Sequence, residues 1–383
     1  MKTTLITIIL IFSWFVNYSQ QYPAFGAEKK VSIIGYAGDA MEPFISPNGN
    51  TLFFNSLNSG GNTNVYYATR LNDSTFNFIG AVVGTVDTSS NHLDAVPSLD
   101  SANNFFWVSL RGYPTVYENL QRGLYSNGAI TNHTMVYGDF NIPSFGWLIM
   151  DAGINYHTNQ LFFCNAYFDL VNNSCGPGIP CYSSIGIAQR VNDSTFNKLS
   201  NSTTVLQLVN DTNYVVYAPQ ISTDGLSLYY TRFMKNTYVT EICVSVRSSP
   251  ISNFSLPMVI YSNGIQATEA PTISYDNQKL YYHQKNSAGV YKIYLRYKTG
   301  VTSIQEEIQK KELTFYPNPV HQFIYVNNPS SKSFTITIFN TQGEELITQT
   351  NNHTIPVLNL AAGIYYIKQS TGGSAKFSKI VKE

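Results

Sequence analysis

Five copies of one short pattern constrain this chain more than any other feature. A proline or small residue opens a short apolar run, a turn follows, and an apolar-aromatic run closes the unit. The first copy reads Pro43-Phe44-Ile45-Ser46-Pro47-Asn48-Gly49-Asn50-Thr51-Leu52-Phe53-Phe54. The pattern returns from Pro97 to Trp107, from Ala152 to Phe163, from Pro219 to Tyr230 and from Pro271 to Tyr282. The anchors at 43, 97, 152, 219 and 271 stand 54, 55, 67 and 52 residues apart. The longest interval holds a turn-rich insertion around Cys175 to Cys181, so the underlying period is 50 to 55 residues. A second echo agrees with it. The stretch from Ala68 to Asn77 returns nearly unchanged from Ala188 to Asn197, 120 residues on, which is two periods.

Each copy has the physics of a hairpin. Asn48-Gly49, Asp224-Gly225 and Asp276-Asn277 supply residues that accept positive φ at the turn. The flanking runs hold the aromatic and β-branched residues that strands prefer. A third strand follows, as in Val65–Ala68 or Lys292–Leu295. Apolar runs at Ile79–Val83, Thr134–Tyr137, Thr204–Leu208 and Pro257–Tyr261 are expected as strands before the next anchors. A lone sheet of three or four strands cannot cover both its faces, whereas radial stacking of such sheets does, and that is a β-propeller.

The expected fold class is all-β. It comprises a five-bladed β-propeller over 21–303, with six blades as the alternative count if a degenerate blade lies in 110–150. The fifth unit ends near Tyr297 with no further strand, and Lys30-Val31-Ser32-Ile33-Ile34 is expected to take that place and remove the open edge. These units resemble the TolB-like (WD-like) propeller repeat, whose signature is a Pro-x-aliphatic-Ser-Pro-Asp-Gly turn before an aromatic strand. Pro43 to Phe54 follows it with Asn48 in place of Asp, and Pro219 to Tyr230 keeps Asp224-Gly225 with Thr223 in place of Pro.

Both ends of the chain read as addresses. Lys2, the apolar run Leu5–Val16 and the polar Asn17–Gln20 describe a secretory signal peptide over 1–20. The run falls short of the about 20 residues a helix needs to cross a bilayer. No membrane span is therefore expected in the mature form. Charged residues at 306, 307 and 310–312 mark a linker over 304–312. Residues 313–383 alternate short strands with turns, as a small Ig-like β-sandwich would. Tyr316-Pro317-Asn318-Pro319, the Gly363 and Tyr365 of a Gly-Ile-Tyr motif, and Lys376 and Lys379 of a lysine-rich last strand occur in that order. This segment resembles the C-terminal sorting domain of proteins exported by the type IX secretion system of Bacteroidota. The resemblance implies the type IX machinery as partner, passage through the periplasm and outer membrane, and a protein that is secreted or held at the cell surface.

Export makes the four cysteines readable. Cys175 and Cys181 flank a Gly- and Pro-rich segment and are expected to form a disulfide. Cys164 and Cys243 lie in apolar runs, paired or buried. In exported proteins of such organisms, Asp followed by Ser or Thr resembles an O-glycosylation acceptor, which Ser74, Ser101 and Ser194 fit; plain turn sequence is the alternative reading.

Chemistry is harder to read. Lys+Arg and Asp+Glu number 23 each, so there is no positive field for nucleic acid. No catalytic motif is present and no resident cofactor is expected. Carboxylates do precede the first strand of four repeats: Glu42, Asp94, Asp151 and Glu269, with Tyr217 near the equivalent place in the remaining one. In a propeller these positions lie near the central channel. They can ring its mouth, hold a cation such as calcium through oxygen ligands, serve as the acid and nucleophile of a glycosidase, or cap strands by accepting backbone N–H bonds. The function expected is a binding module for a polysaccharide, peptide or envelope protein. The alternative is a propeller glycoside hydrolase or lyase.

Overall fold

The computed structural model describes residues 21–58, 62–85, 92–156, 159–235, 237–264, 267–303, 314–327, 333–371 and 374–383. The expected signal peptide over 1–20 and linker over 304–312 lie outside them. The chain divides into two compact units, one of Gln20–Ser303 and one that holds Ile304–Glu383.

Among the described residues the larger unit holds five sheets. Met41–Ile45, Thr51–Asn55, Val65–Asn72 and Thr75–Ala81 form the first. Asp94–Leu99, Asn104–Ser109, Leu120–Ser126 and Ala129–Met135 form the second. Trp147–Ile154, Gln160–Tyr167, Tyr182–Asn192 and Thr195–Lys198 form the third. Tyr214–Ile221, Ser227–Met234, Thr240–Val246 and Met258–Tyr261 form the fourth. The fifth runs Thr268–Ile273, Lys279–Lys285, Tyr291–Ser303 and then Gln21–Phe25. The opening strands of the five sheets touch one another in a closed cycle, the arrangement of a β-propeller.

The hydrophobic pattern explains the ring. The strand after each turn is aromatic on both faces because both are covered. Phe53 packs with Phe105 and Trp107 of the second sheet, while Leu52 and Phe54 pack with Tyr281, Ile293 and Leu295 of the fifth. Phe106 meets Phe163, Phe162 meets Tyr230, and Tyr229 meets Tyr282 in the next three seams. Adjacent residues thus serve opposite seams, as a strand's period of two requires.

The turn chemistry is equally specific. In the first hairpin the Ser46 hydroxyl donates to Asn48 Oδ1 (2.7 Å) and accepts from the Thr51 N–H (2.9 Å), while Asn48 Oδ1 also accepts from the Asn50 N–H. Ser222 with Asp224, and Ser274 with Asp276, repeat the arrangement. The three copies without a turn glycine place Asn103 (φ 63°), Asn159 (φ 51°) and Asn277 (φ 57°) in the left-handed region instead, which asparagine tolerates better than other side chains.

Two expectations about strands are corrected. The strand on the edge of the fifth sheet is Gln21–Phe25, paired from Gln21↔Ser303 to Phe25↔Lys298, not the segment from Lys30 to Ile34. Tyr22 decides this, because its buried side chain enters the seam between the fourth and fifth sheets. Within the expected segment, Lys30 pairs with Tyr294, and Ser32–Ile34 runs parallel to Thr75–Asn77 on the first sheet. The run Thr204–Leu208 is likewise no strand: Ser202–Val205 is a helical turn. Val205, Leu206 and Val209 bury one side of that turn in the seam between the third and fourth sheets, a helical rather than an alternating spacing.

Cys175 and Cys181 form a disulfide, whereas Cys164 and Cys243 are buried free thiols. The bridged loop is an exposed insertion, so its opening is local rather than global. Reduction is expected to shift the melting temperature by less than about 2 °C and to admit protease between 169 and 181. Limited proteolysis with and without dithiothreitol, beside a thermal melt, checks both.

In the smaller unit, Thr314–Tyr316, Phe323–Asn327 and Thr354–Pro356 form one sheet. Glu345–Thr350, Phe334–Phe339, Gly363–Thr371 and Ser374–Lys382 form the other, in that order. Ile324, Val326 and Ile355 from one meet Ile336, Ile338, Ile367 and Ile380 from the other in a single core.

Candidate functional site

The opening strand of every sheet in the ring carries a bulge at or just before its anchor. Pairing shifts between Met41 and Phe44, Ala95 and Ser98, Ile149 and Asp151, Tyr217 and Gln220, and Glu269 and Thr272. Glu42, Val96, Ala218 and Ala270 take φ of 51°, 56°, 50° and 54° there, each directly before a proline. A bulge bends the strand and frees its backbone from the ladder. The freed N–H groups then need acceptors.

Those acceptors come from neighbouring sheets. The Val96 N–H donates to Glu42 Oε2 (3.1 Å) and to Asn55 Oδ1 (3.2 Å). The Ala270 N–H donates to the Thr231 hydroxyl (2.9 Å), and the Glu42 N–H to His283 Nδ1 (2.9 Å). The Ala218 N–H donates to Asp151. Asn55, Thr231 and His283 each stand 12 residues after their anchor. Cys164 holds the same place in the third sheet, where its thiol donates to the Val216 carbonyl (3.4 Å). The second sheet has a hairpin shorter by one residue, which puts Val108 there.

Sequence reasoning missed this polar position, His283 above all. The signal was a hydrogen-bonding residue at a fixed offset inside an otherwise apolar-aromatic strand.

The structure brings Glu42, Asp151, Tyr217 and Glu269 around one mouth of the channel. Burial and the Asp151 charge push the Glu42 carboxyl up to about 8, against bonds from Asn58 and the Val96 N–H. Burial pushes Asp151 up to about 7; the Ala218 N–H opposes this and Glu269 adds to it. Tyr217 is raised well above the usual phenol value by burial and by the Glu269 and Asp151 charges, and it hydrogen-bonds Glu269. Because His283 Nδ1 accepts a bond, its proton sits on Nε2, which faces Glu269 Oε2 at 3.5 Å.

The channel cavity, about 30 Å³, is lined by Glu42, Asp151 and the anchors of the sheets. That is room for one or two waters, not for a sugar ring. Asp151 Oδ2 is buried there without a hydrogen-bond partner. Among the described residues, no three His, Cys, Asp or Glu side chains group as a metal set.

Asp94 does not join the ring. It precedes its anchor by three residues rather than one, so Val96 takes the channel position. Asp94 turns instead to Arg111 (2.6 Å) and the Trp107 indole N–H (3.3 Å).

The remaining expected residues are scattered. Ser74 is 6% exposed, with its N–H and hydroxyl both on Asn72 Oδ1, which corrects its reading as a glycan acceptor. Ser101 is exposed and Ser194 half-buried. In the smaller unit Asn318 clamps the last strand: its Nδ2 donates to the Lys379 carbonyl (3.1 Å) and its Oδ1 accepts from the Val381 N–H (2.9 Å). Tyr365 is buried and donates to the Ala361 carbonyl (2.9 Å), and the Tyr316 ring lies tilted beside Tyr325. Pro317 and Pro319 flank Asn318, and Gly363 opens the strand that carries Tyr365. The Lys379 side chain is exposed. The Lys376 side chain lies outside the described residues.

Comparison with known proteins identifies this tail. Residues 314–383 match the family described as "Secretion system C-terminal sorting domain". Such a tail of the type IX system implies export, to the cell surface or the medium. No helix among the described residues is long and apolar enough to cross a membrane.

No curated protein matches the chain. Among solved structures, a family 117 glycoside hydrolase of the marine bacterium Zobellia galactanivorans is 12% identical, with a TM-score of 0.45 over 72% of this chain and 90% of that one. An alpha-L-arabinofuranosidase from Lactobacillus brevis is 13% identical, with a TM-score of 0.42 over 69% and 92%. TolB from Acinetobacter baumannii is 10% identical, with a TM-score of 0.35 over 70% and 56%. Likenesses this distant carry no argument about activity.

Proposed function

We propose that the protein is a binding module displayed on, or released from, the surface of a bacterium of the Bacteroidota. In this reading residues 1–20 are a signal peptide, 21–303 a TolB-like propeller with each sheet one blade of five, 304–312 a linker and 313–383 an Ig-like sorting domain. Tyr316, Pro317, Asn318, Pro319, Gly363, Tyr365, Lys376 and Lys379 are the residues the export machinery reads. Ser101 and Ser194 are the acceptors offered to glycosylation. The partner is a polysaccharide, a peptide or an envelope protein.

One observation carries the choice of binding over catalysis. Glu42 and Asp151 are committed to backbone N–H groups of neighbouring sheets around a cavity too small for a sugar. The raised carboxyls keep one alternative in play, since a general acid needs a pKa near the working pH. That alternative is a glycoside hydrolase or lyase that uses them at the mouth.

A glycan array with the full chain, with and without calcium, and with the E42Q/D151N variant, separates the readings. Selective binding that survives both substitutions is the expected result. Cleavage of a bound glycan that disappears in the variant would establish the hydrolase instead. Calcium-dependent binding would place an ion among the channel oxygens. A blank array from folded protein would turn the proposal towards a protein partner.

A further inference from the structure

A second, larger cavity lies at the seam where the ring closes. It has about 150 Å³ and is lined by Lys30, Ser32, Tyr36, Gly38, Lys292 and Ile293, among others. We infer that this cavity binds the anionic oxygen group of an acidic saccharide.

The charge at the cavity selects the ligand. Two lysines, Lys30 and Lys292, are among its lining residues, and no acidic residue is. Lys292 is half-buried, and its ammonium is held in place by the carbonyls of Ala37 (2.7 Å) and Gly38 (2.8 Å). Two of its three N–H groups are thereby used, and one remains for a ligand. Lys30 stands near enough to depress the Lys292 pKa further, in addition to burial. The nearest acid, Asp39, opposes that shift, but its Oδ1 accepts from the Tyr291 N–H (2.8 Å). The cavity thus gathers two lysines in a chain whose formal charge is +0.

Shape and backing complete the case. Val31 and Ile293 are buried below the cavity, and the Tyr36 ring is locked against Phe54, Tyr66 and Phe78. The volume exceeds the room that one or two waters require. The walls come from the 30–40 segment, which pairs with the first sheet, and from the strand Tyr291–Ser303 of the fifth, so a bound anion ties these two sheets together and adds to stability by linkage.

Carboxylates and sulfates share the chemistry recognised here. The saccharide that bears the charge rests on the binding-module reading; the anion site does not.

The test titrates the full chain with glucuronate, glucose and inorganic sulfate, by calorimetry and by thermal shift, in the wild type and in K30Q and K292Q. A charge-assisted hydrogen bond contributes about 1.5–3 kcal/mol, hence about tenfold or more in affinity. Glucuronate is expected to bind at least about tenfold tighter than glucose, to raise the melting temperature, and to weaken by up to about fivefold in K30Q, whose lysine is exposed. Lys30 is exposed, so K30Q folds even if K292Q does not. Equal responses to glucose and glucuronate, or an unchanged K30Q, would overturn the inference. Binding of sulfate without glucuronate overturns the saccharide in favour of an inorganic anion. A blank glycan array beside positive glucuronate binding removes the polysaccharide partner, turns the binding module towards a protein, and leaves the anion site standing.

Discussion

Asp100→Ala is expected to destabilise the propeller unit by about 3–5 kcal/mol, because it strands a buried arginine. Asp100 Oδ2 accepts from Arg190 Nη2 (2.6 Å) and Asn104 Nδ2 (2.7 Å), and its Oδ1 accepts from the N–H groups of Ala102 (2.9 Å) and Asn104 (2.8 Å). The carboxylate side chain is 5% exposed and the arginine side chain 11%. Arg190 lies over Phe106 and Phe196, so its charge has no easy route to water once the carboxylate is gone. The pair joins the turn of the second sheet to the third, and it fails as a unit. For a domain of this size the loss corresponds to a fall of roughly 10 °C in melting temperature. Arg70→Ala is the control. Arg70 pairs with Asp73 at 2.6 Å too, but its side chain is 39% exposed, and such pairs contribute less than about 1 kcal/mol. Urea denaturation of the full chain measures both. A D100A protein within 1 kcal/mol of the wild type would show that water reaches Arg190 after all.

That contrast marks where sequence reading ends. Arg70 and Arg190 lie in two nearly identical stretches, Ala68–Asn77 and Ala188–Asn197. The repeat announces that both segments are outer strands with the same turn, and they are. Their arginines nevertheless find different partners. Arg70 turns to Asp73 of its own turn, Arg190 reaches Asp100 of another sheet, and Asp193 pairs with Arg122. Local sequence sets the hairpin, whereas the neighbour across the seam sets the ion pair. The same holds at the channel. Glu42 and Asp151 reach it because each directly precedes its anchor, Glu42 within the bulge and Asp151 immediately after it, paired with Cys164. Asp94 shares their chemistry but misses the channel by two positions. The ring itself was legible from the anchors and the doubly aromatic strands. The identity of the closing strand was not, because Gln21–Phe25 and Lys30–Ile34 are both short and apolar enough, and only the seam that Tyr22 fills distinguishes them.

The channel carboxylates also make stability depend on pH, with a sign opposite to that of most acidic groups. In the unfolded chain Asp and Glu titrate near about 3.9 and 4.3. In the folded protein burial holds Asp151 near about 7 and Glu42 near about 8. The folded state therefore binds more protons than the unfolded one across that interval, and stability falls as pH rises. Their contribution is complete below about pH 4 and is lost as pH passes through the folded values of about 7 and 8. Asp151→Asn removes one of the two titrations at small structural cost. Oδ2 has no partner, so the remaining oxygen is the one that accepts from the Ala218 N–H, and an asparagine oxygen can do the same. The new amide NH₂ then stands where the orphaned oxygen was, beside Glu269 and Glu42. At pH 5, where the unfolded chain has ionised this group but the folded protein has not, the gap between variant and wild type is expected to be smaller than at pH 9. At pH 9 the variant is expected to be the more stable by about 2 kcal/mol, since it has no charge to bury. Guanidinium titrations of the full chain at both pH values measure the difference. An equal response of both proteins to pH would mean that Asp151 is ionised throughout, held so by a cation or ordered water in the cavity. In that case the channel would be a binding site and not only a clasp.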